Sequence, residues 1–541
     1  MREVIRKPMV SENIVDKAVE FFSPGRALRR RKARTVLAMT GGYAGGKRDR
    51  QLTKHWRPGG GSADADTLMD APLLRERSHD LTRNHPLVTG AIGTLGTGIV
   101  GSGLQLDAQV DRKALGISQD AARTLEEEIE RGFALWCEAQ NCDITRTQTF
   151  QEQQGLALRS VYEGGDLLVL MPWVTFPGNP WGLKLQMIEA ERISNERNKP
   201  DSETLRGGVE LDQYGGPAGY WVQSTHPGDN VYDKKRFEWK HFPAFTKDGR
   251  RAALHLYERL RPGQHRGVPL VAPIIEKLKV LDEYTDAELK AAVISAMFTV
   301  FTHIENGEPM PGMEPVLSST TSGSGATSTG DDEARMEGGM IIDLGIADKV
   351  EFANPTRPNT AFDPFYKAIV QQIGVALGLP QEVLLKIFMN SYSASRAALA
   401  EAHRFYMVKR TWLIRNFCAP VYEAWMTEAV ASGYLYAPGY FEDPIARRAY
   451  LGANWLGTPM IQIDPVKEIT AAKMRIEENL STRTEECAIL TGKNWDTVPE
   501  QLKWEREQLA GIGASTTTAV ADGDPDDNDD PDQADEKERR S

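Results

Sequence analysis

Cysteine is scarce, with 4 in 541 residues. Cys137, Cys142, Cys418 and Cys487 are too scattered for a disulfide framework, and Cys137 with Cys142 lacks the second pair that a zinc site needs. Reduced, mostly buried thiols are therefore expected. The 9 histidines show no H-x-x-x-H or H-E-x-x-H spacing, which leaves no visible metal cluster. No stretch approaches the roughly 20 apolar residues that cross a bilayer, and the charged–apolar–small order of a secretory signal is missing, so a cytoplasmic product without membrane contact is expected. Serine chemistry has no footing either. There is no G-x-S-x-G elbow and no S-x-x-K, since Ser393 is followed three residues later by Arg396. The segment "NSYSASRAAL" (390–399) reads as a helix start with Ser391 or Ser393 as N-cap. "EGGD" (163–166) reads as a turn between helix and strand. With nothing like an active site, neither catalysis nor a cofactor is expected.

A basic excess is also missing. The formal net charge is −12. From Ala521 to Ser541 ten Asp or Glu face three Lys or Arg, a net of −7, so the remainder carries −5. That near-balance gives no support to a protein that coats nucleic acid non-specifically, which usually shows a basic excess, and does not forbid one that nucleic acid passes through. The one basic cluster is "RALRRRKARTV", with Arg26, Arg29, Arg30, Arg31, Lys32 and Arg34, and it reads as a solvated surface arm.

Two glycine patterns suggest a nucleotide. Gly96, Gly98 and Gly101 in "TLGTGIVGSG" (94–103) fit G-x-G-x-x-G, but a dinucleotide site needs strand, glycine turn, then helix. Here an apolar helical stripe (Leu74, Leu81, Val88, Ile92, Leu95, Ile99, interrupted at Pro86) precedes the glycines and "LQLDAQV" follows as a strand. The glycines are expected to end a helix and start a strand. "GGYAGGKR" (41–48) falls one residue short of a P-loop, with Arg48 in place of the Ser or Thr that would hold magnesium, and a charged, Pro/Gly-ended run follows.

The remaining pattern predicts an α+β chain. "SQDAARTLEEEIERGFALWC" (118–137) is an amphipathic helix capped by Ser118, with Ala121, Leu125, Ile129, Phe133 and Trp136 on one face. A second helix runs from Thr149 to Tyr162 and stops at Gly164 and Gly165. Strand-like pieces between turns fill Leu167 to His255. Residues 272–303 contain no Gly and only Pro273 in the first turn, which predicts a helix about 45 Å long that needs neighbours along its length. A polar, Gly/Ser/Thr-rich stretch follows at 309–339, too long for an ordinary connection. Order is expected to resume with "GMIIDLG" and "KVEFANP", and a helical block at 364–432 and helices near 465–490 and 498–511 precede the acidic tail.

Several phrases, taken in order, resemble the lambda-family portal proteins of tailed bacteriophages: "LLRERSHDLTRNHPLVTGAIGTLGTGIVGSGLQL", "LQMIEAERISN", "GGVELDQYGGPAGYWV", "RPGQHRGVPLVAPIIEKLKVLDEYTDAELKAA" and "ALGLPQEVLLKIFMNSYSASRAALAEAHR". The resemblance spans roughly residues 40–430. It implies an elongated portal-type subunit in a ring of about twelve copies at one capsid vertex, a channel for the packaging and ejection of double-stranded viral DNA. By analogy, 1–68 is a flexible basic arm, 69–147 the first part of a wing and 148–165 the first stem helix. The clip lies in 166–258, the second stem helix in 259–303 and the tunnel loop in 304–339. Residues 340–365 complete the wing, 366–513 form a helical crown and 514–541 a disordered acidic tail. Lys277, Lys279, Glu283 and Lys290 of the stem, with Ser318, Ser322 and Ser324 of the loop, are the candidate channel residues. The implied partners are further copies of the chain, the DNA, the terminase large subunit that would hydrolyse ATP, the head-tail connector, and the major capsid and scaffold proteins. The implied location is the virion, after assembly in the host cytoplasm. A structural adaptor of capsid or tail without a DNA channel is the alternative, and a nucleotide-driven translocase stands third.

Overall fold

The computed structural model describes residues 23–25, 29, 55, 58–229, 237–296, 300–303, 341–344, 362–388, 391–459, 465–492, 495 and 497–511. The chain divides into Met1–Ser62 and Ala63–Ser541, and the fold below is that of the second unit. The near P-loop, nearly all of the basic arm, the stretch 304–339 and the acidic tail lie outside the described residues.

The described part of this unit is mixed helix and sheet. Its helices of nine or more residues are α1 (Ala71–Asn84), α2 (Pro86–Ile99), α3 (Gln119–Trp136), α4 (Phe150–Gly164), α5 (Ile275–Ala296), α6 (Phe362–Leu377), α7 (Tyr392–Leu413), α8 (Ala419–Ala431), α9 (Pro465–Glu477), α10 (Arg483–Thr491) and α11 (Thr497–Gly511). The predicted break at Pro86 is present. Pro86 starts α2, His85 leaves helical geometry at φ −99, ψ 113, and its ring nitrogen accepts the Leu87 N–H at 3.2 Å. Local chemistry also sets other starts. Ser118 caps α3 through the Ala121 N–H, Thr149 and Glu152 close a reciprocal capping box on α4, and Ser391 caps α7 through the Ala394 N–H.

The buried face of α3 is Ala122, Ile129, Gly132, Phe133 and Trp136. Ala121, expected on that face, is exposed, and Leu125 is half-buried. The stripe follows Ala122 because that residue sits two turns before Ile129. Phe133 then packs its ring against Trp136, Phe150, Tyr422, Trp425 and Trp455 with centroids 5.2–6.0 Å apart, which joins α3, α4, α8 and strand β11 (Ala453–Leu456) in one core. β11 pairs antiparallel with β1 (Gln105–Ala108).

The strand-rich middle forms two antiparallel sheets. The first has the order β3 (Gln186–Glu189), β2 (Asp166–Leu170), β8 (Ala253–Tyr257). The second runs β4 (Leu205–Arg206), β5 (Val209–Leu211), β6 (Pro217–Gln223), β7 (Trp239–Pro243). All five residues of β2 are buried, because it is central and covered on both faces: Leu167 and Val169 join the main core, whereas Leu168 and Leu170 join a smaller core with Val209, Tyr220 and Val222. The alternation of period two thus divides one apolar run between two cores.

Two expectations need correction. The helix does end within the glycine run and β1 follows, but Gly96 and Gly98 lie inside the last turn of α2, and only Gly101 (φ 62) and Gly103 (φ 112) take the left-handed conformation before β1. The helix predicted over 272–303 also stops early. α5 ends at Ala296, about 33 Å by its rise per residue, and Val300–His303 form β9, parallel to β10 (Ile341–Leu344). Val300 and Thr302 are β-branched and Phe301 is aromatic, so this apolar run suits a strand once β10 offers a partner.

Near its end α7 widens into a π-helical turn, Ile414–Cys418, before continuing as α8. Pro420 has no N–H to offer the carbonyl four residues back, and the ladder resets around it.

Candidate functional site

α5 is the element from which the channel residues were expected to project, and its launch point is a buried charge cluster. Asp166, at the start of β2, is 1% exposed. It takes both Arg266 Nε and Arg266 Nη2, the latter at 3.2 Å, and also Arg75 Nη2 at 3.4 Å, His255 Nε2 at 3.1 Å and the Gly267 N–H at 3.2 Å. Burial alone would raise its pKa, but the Arg266 and Arg75 guanidiniums hold the carboxyl well below the usual range. Arg266 also donates to the carbonyls of Ala190 and Ile193, both at 2.7 Å, and to that of Gly207, and Arg75 donates to the Gly164 carbonyl at 2.8 Å. One carboxylate therefore fastens α1, the end of α4, β2, β8 and the segment leading into α5. A Cβ on Gly267 would lie 1.9 Å from the Gly165 carbonyl oxygen, so the two strands of chain touch there through bare backbone. The reading of "EGGD" as a simple turn is thus incomplete: the turn exists, with Gly165 at φ 89, but its Asp is the hub of the joint. An acid placed just before the apolar run "LLVLM" was the available signal, because a carboxylate entering a buried strand must find a cation.

Beside this hub His79 bridges Glu191 at 2.9 Å and Glu163 at 3.7 Å. Hydrogen bonds that its ring donates to the Glu163 and Glu191 carboxylates raise its pKa to about 9.

Along α5, Leu278 and Leu281 continue the buried stripe from Ile274, and the stripe then ends. Tyr284 stacks on Phe362 of α6 at 5.7 Å and meets Phe365 edge to face at 5.1 Å. Beyond it Leu289 and Val293 are 66% and 48% exposed, and Val280 is 60% exposed. α6 is the main neighbour of α5 among the described elements.

The four stem candidates do not share one face. At about 100° per residue, Lys279, Glu283 and Lys290 fall within a sector of about 40° on the side away from Leu278 and Leu281. All three are exposed. Lys277 points elsewhere and donates to Gln372 Oε1 of α6 at 2.7 Å. Ser318, Ser322 and Ser324 lie outside the described residues.

The glycine run near 98 has a different task from a nucleotide cradle. It forms a helix C-terminus, where the dipole is negative and repels pyrophosphate. Two of the glycines are there for close packing: a Cβ on Gly98 would sit 2.4 Å from the Tyr406 ring, and one on Gly101 would sit 1.7 Å from Thr458 Oγ1, while Gly90, Gly93 and Gly98 border an apolar cleft of about 600 Å³. Arg410, 5% exposed, donates to the carbonyls of Gly98, Ile99 and Thr458, which supplies donors that the last turn of α2 lacks. Among the described residues no group of three His, Cys, Asp or Glu is placed to hold a metal, and no helix is long and apolar enough to cross a membrane.

Comparison with known proteins bears on the same elements. Residues 49–410 match the family described as phage portal protein, lambda family. Portal protein B of Escherichia phage lambda is 26% identical over 508 residues, covering 90% of this chain and 94% of that protein. The portal protein of Escherichia phage N15 is 26% identical over 509 residues, with the same coverage, and a probable portal protein of Halomonas phage phiHAP-1 is 27% identical over 476 residues, covering 86% of each. Among solved structures, a chain from the neck of an empty gene transfer agent particle, computed with C6 symmetry, is similar with a TM-score of 0.41 and 13% identity over 82% of this chain and 97% of that one. The family match contains the charge cluster, both helices it joins and the glycine-ended α2, and the chain belongs to the lambda family of phage portal proteins.

Proposed function

We propose that this chain is the subunit of a closed ring at one vertex of a phage capsid, and that double-stranded viral DNA enters and leaves through the bore of that ring. The portal function itself follows from the family. The observation that supports the ring is α5, whose apolar residues Val280, Leu289 and Val293 remain uncovered within one subunit. Neighbouring copies of α5 and α4 would cover them. In this reading α4 and α5 are the stem, the two small sheets lie in the clip-containing region, and α6 to α11 make the crown. Lys279, Glu283 and Lys290 face the bore, whereas Lys277 serves the contact with α6. Residues 304–339, with Ser318, Ser322 and Ser324, supply the tunnel loop. The ring is a conduit without catalysis. ATP hydrolysis belongs to a terminase docked on the clip, and connector, capsid and scaffold proteins meet other faces during assembly in the host cytoplasm. Single-particle electron microscopy of the purified chain tests this. Closed rings of about twelve copies around a bore wide enough for a duplex are expected. Monomers under all salt conditions, or ATP turnover by the chain alone, would sink the proposal.

A further inference from the structure

A cavity of about 430 Å³ opens where the two small sheets part, at the end of the smaller core. His255 and Tyr257 of β8 line one wall and Tyr220 of β6 another, while Trp412 and Asn416 reach in from the far end of α7 and its π-helical turn. The cavity's charged lining is one-sided: Arg251 and Arg259 line it together with the imidazoles of His255 and His265, and no Asp or Glu does. His265 is satisfied by Asp64 at 2.6 Å and His255 by Asp166. The two arginines have no carboxylate within ion-pair distance among the described residues. Arg251 only lies over the Phe245 ring, 5.4 Å from its centroid, and Arg259 gives one of its donors to the Tyr257 hydroxyl at 2.8 Å. A guanidinium has five donors, so most are unspent on both. The Tyr220 hydroxyl has no protein partner among the described residues, although the residue is 2% exposed.

The field extends past Arg251. That residue also borders a second cleft of about 440 Å³ on the other side of the π-helical turn, where Arg415 and Arg448 meet a single carboxylate, Glu423, already paired with Arg447 at 2.8 Å. The Tyr422 hydroxyl in its wall is buried without a partner. π-helical turns inside α-helices occur often at functional sites, and here the turn separates two basic clefts.

We propose that the cavity between β6, β8 and the π-helical turn binds a phosphate group, held by Arg251 and Arg259 with the Tyr220 hydroxyl as a further donor. Forked guanidiniums match the oxygens of phosphate, and aromatic walls at Tyr257, Phe245 and Trp412 accept the organic part of a phosphate ester. The volume lies in the range of small-ligand sites and is too small for a folded partner. The phosphate comes either from a free compound or from a nucleic-acid backbone. The site is built within one chain, so it stands or falls independently of the ring.

Calorimetric titration of the full chain in phosphate-free, low-salt buffer tests this, with inorganic pyrophosphate in one arm, a short 5′-phosphorylated single-stranded oligonucleotide in the second and a glutamate-rich peptide in the third. Saturable pyrophosphate binding that weakens at least tenfold in Arg251→Ser/Arg259→Ser, and several-fold in Tyr220→Phe, is the expected result and assigns a free compound. The same loss confined to the oligonucleotide assigns the backbone as the source. Lys247→Ser, in the exposed turn nearby, serves as the control and leaves affinity unchanged. No binding in either phosphate arm, binding indifferent to the arginine substitutions, or tighter binding of the acidic peptide overturns the proposal. Tyr220→Phe keeps the test decisive if the double variant fails to fold.

Discussion

Asp166 shows how much a single buried charge can organise. Its partners Arg75, Arg266 and His255 stand 91, 100 and 89 residues away in sequence. Nothing local announces them, so the sequence showed only a turn; the glycines deceived in the same way, since Tyr406, Thr458 and Gln151, which crowd any side chain at Gly98, Gly101 and Gly103, stand 308, 357 and 48 residues away. Asp166→Asn keeps the shape and removes the charge, leaving two arginines buried without a counter-ion. A loss of about 3–5 kcal/mol is expected from urea unfolding. A cost below about 1 kcal/mol would show that the carbonyl acceptors around Arg266 suffice alone. The pH dependence has a definite sign. A carboxyl whose folded pKa is depressed stabilises above its unfolded value, near 3.8, and loses that contribution only as pH falls through the still lower folded value. The cluster therefore holds across neutral and mildly acid conditions.

Helix starts were legible from sequence because their causes are local: Ser118, Pro86, Ser391 and the Thr149–Glu152 box each act within four residues. The end of α5 was not legible. Apolar periodicity cannot separate a buried helix from a strand over the short run that becomes β9, and the partner that decides, β10, is supplied from beyond residue 340. Nor did periodicity tell which residues of α5 remain uncovered, since that depends on α6. The uncovered set yields a prediction. Leu289 and Val293 contribute little to the fold of a lone subunit, so Leu289→Asp/Val293→Asp is expected to leave its circular dichroism and thermal midpoint nearly unchanged. Closed assemblies should nevertheless disappear in size-exclusion chromatography with light scattering, because charge would be buried unpaired between copies. Assembly that survives both substitutions would place the subunit contact elsewhere.

For the whole molecule the decisive quantity is charge. Duplex DNA presents about one negative charge per 1.7 Å of axis, and a wall neutralising many phosphates at once would bind it with steep salt dependence and stall its passage. This chain totals −12, with −7 of that in the last 21 residues, and the proposed bore face mixes Lys279 and Lys290 with Glu283. Such a surface should let DNA slide. Filter binding of the assembled protein to linear duplex at about 150 mM salt is therefore expected to show weak retention, above micromolar, with a shallow salt slope. Removing residues 512–541 cuts the negative charge without touching the described helices, so a modest rise in retention is expected from that truncation, as relief of repulsion at a distance. Sub-micromolar retention by the intact chain, falling steeply with salt, would mean that the ring grips the duplex through a basic surface, and the conduit reading would have to give way to a clamp.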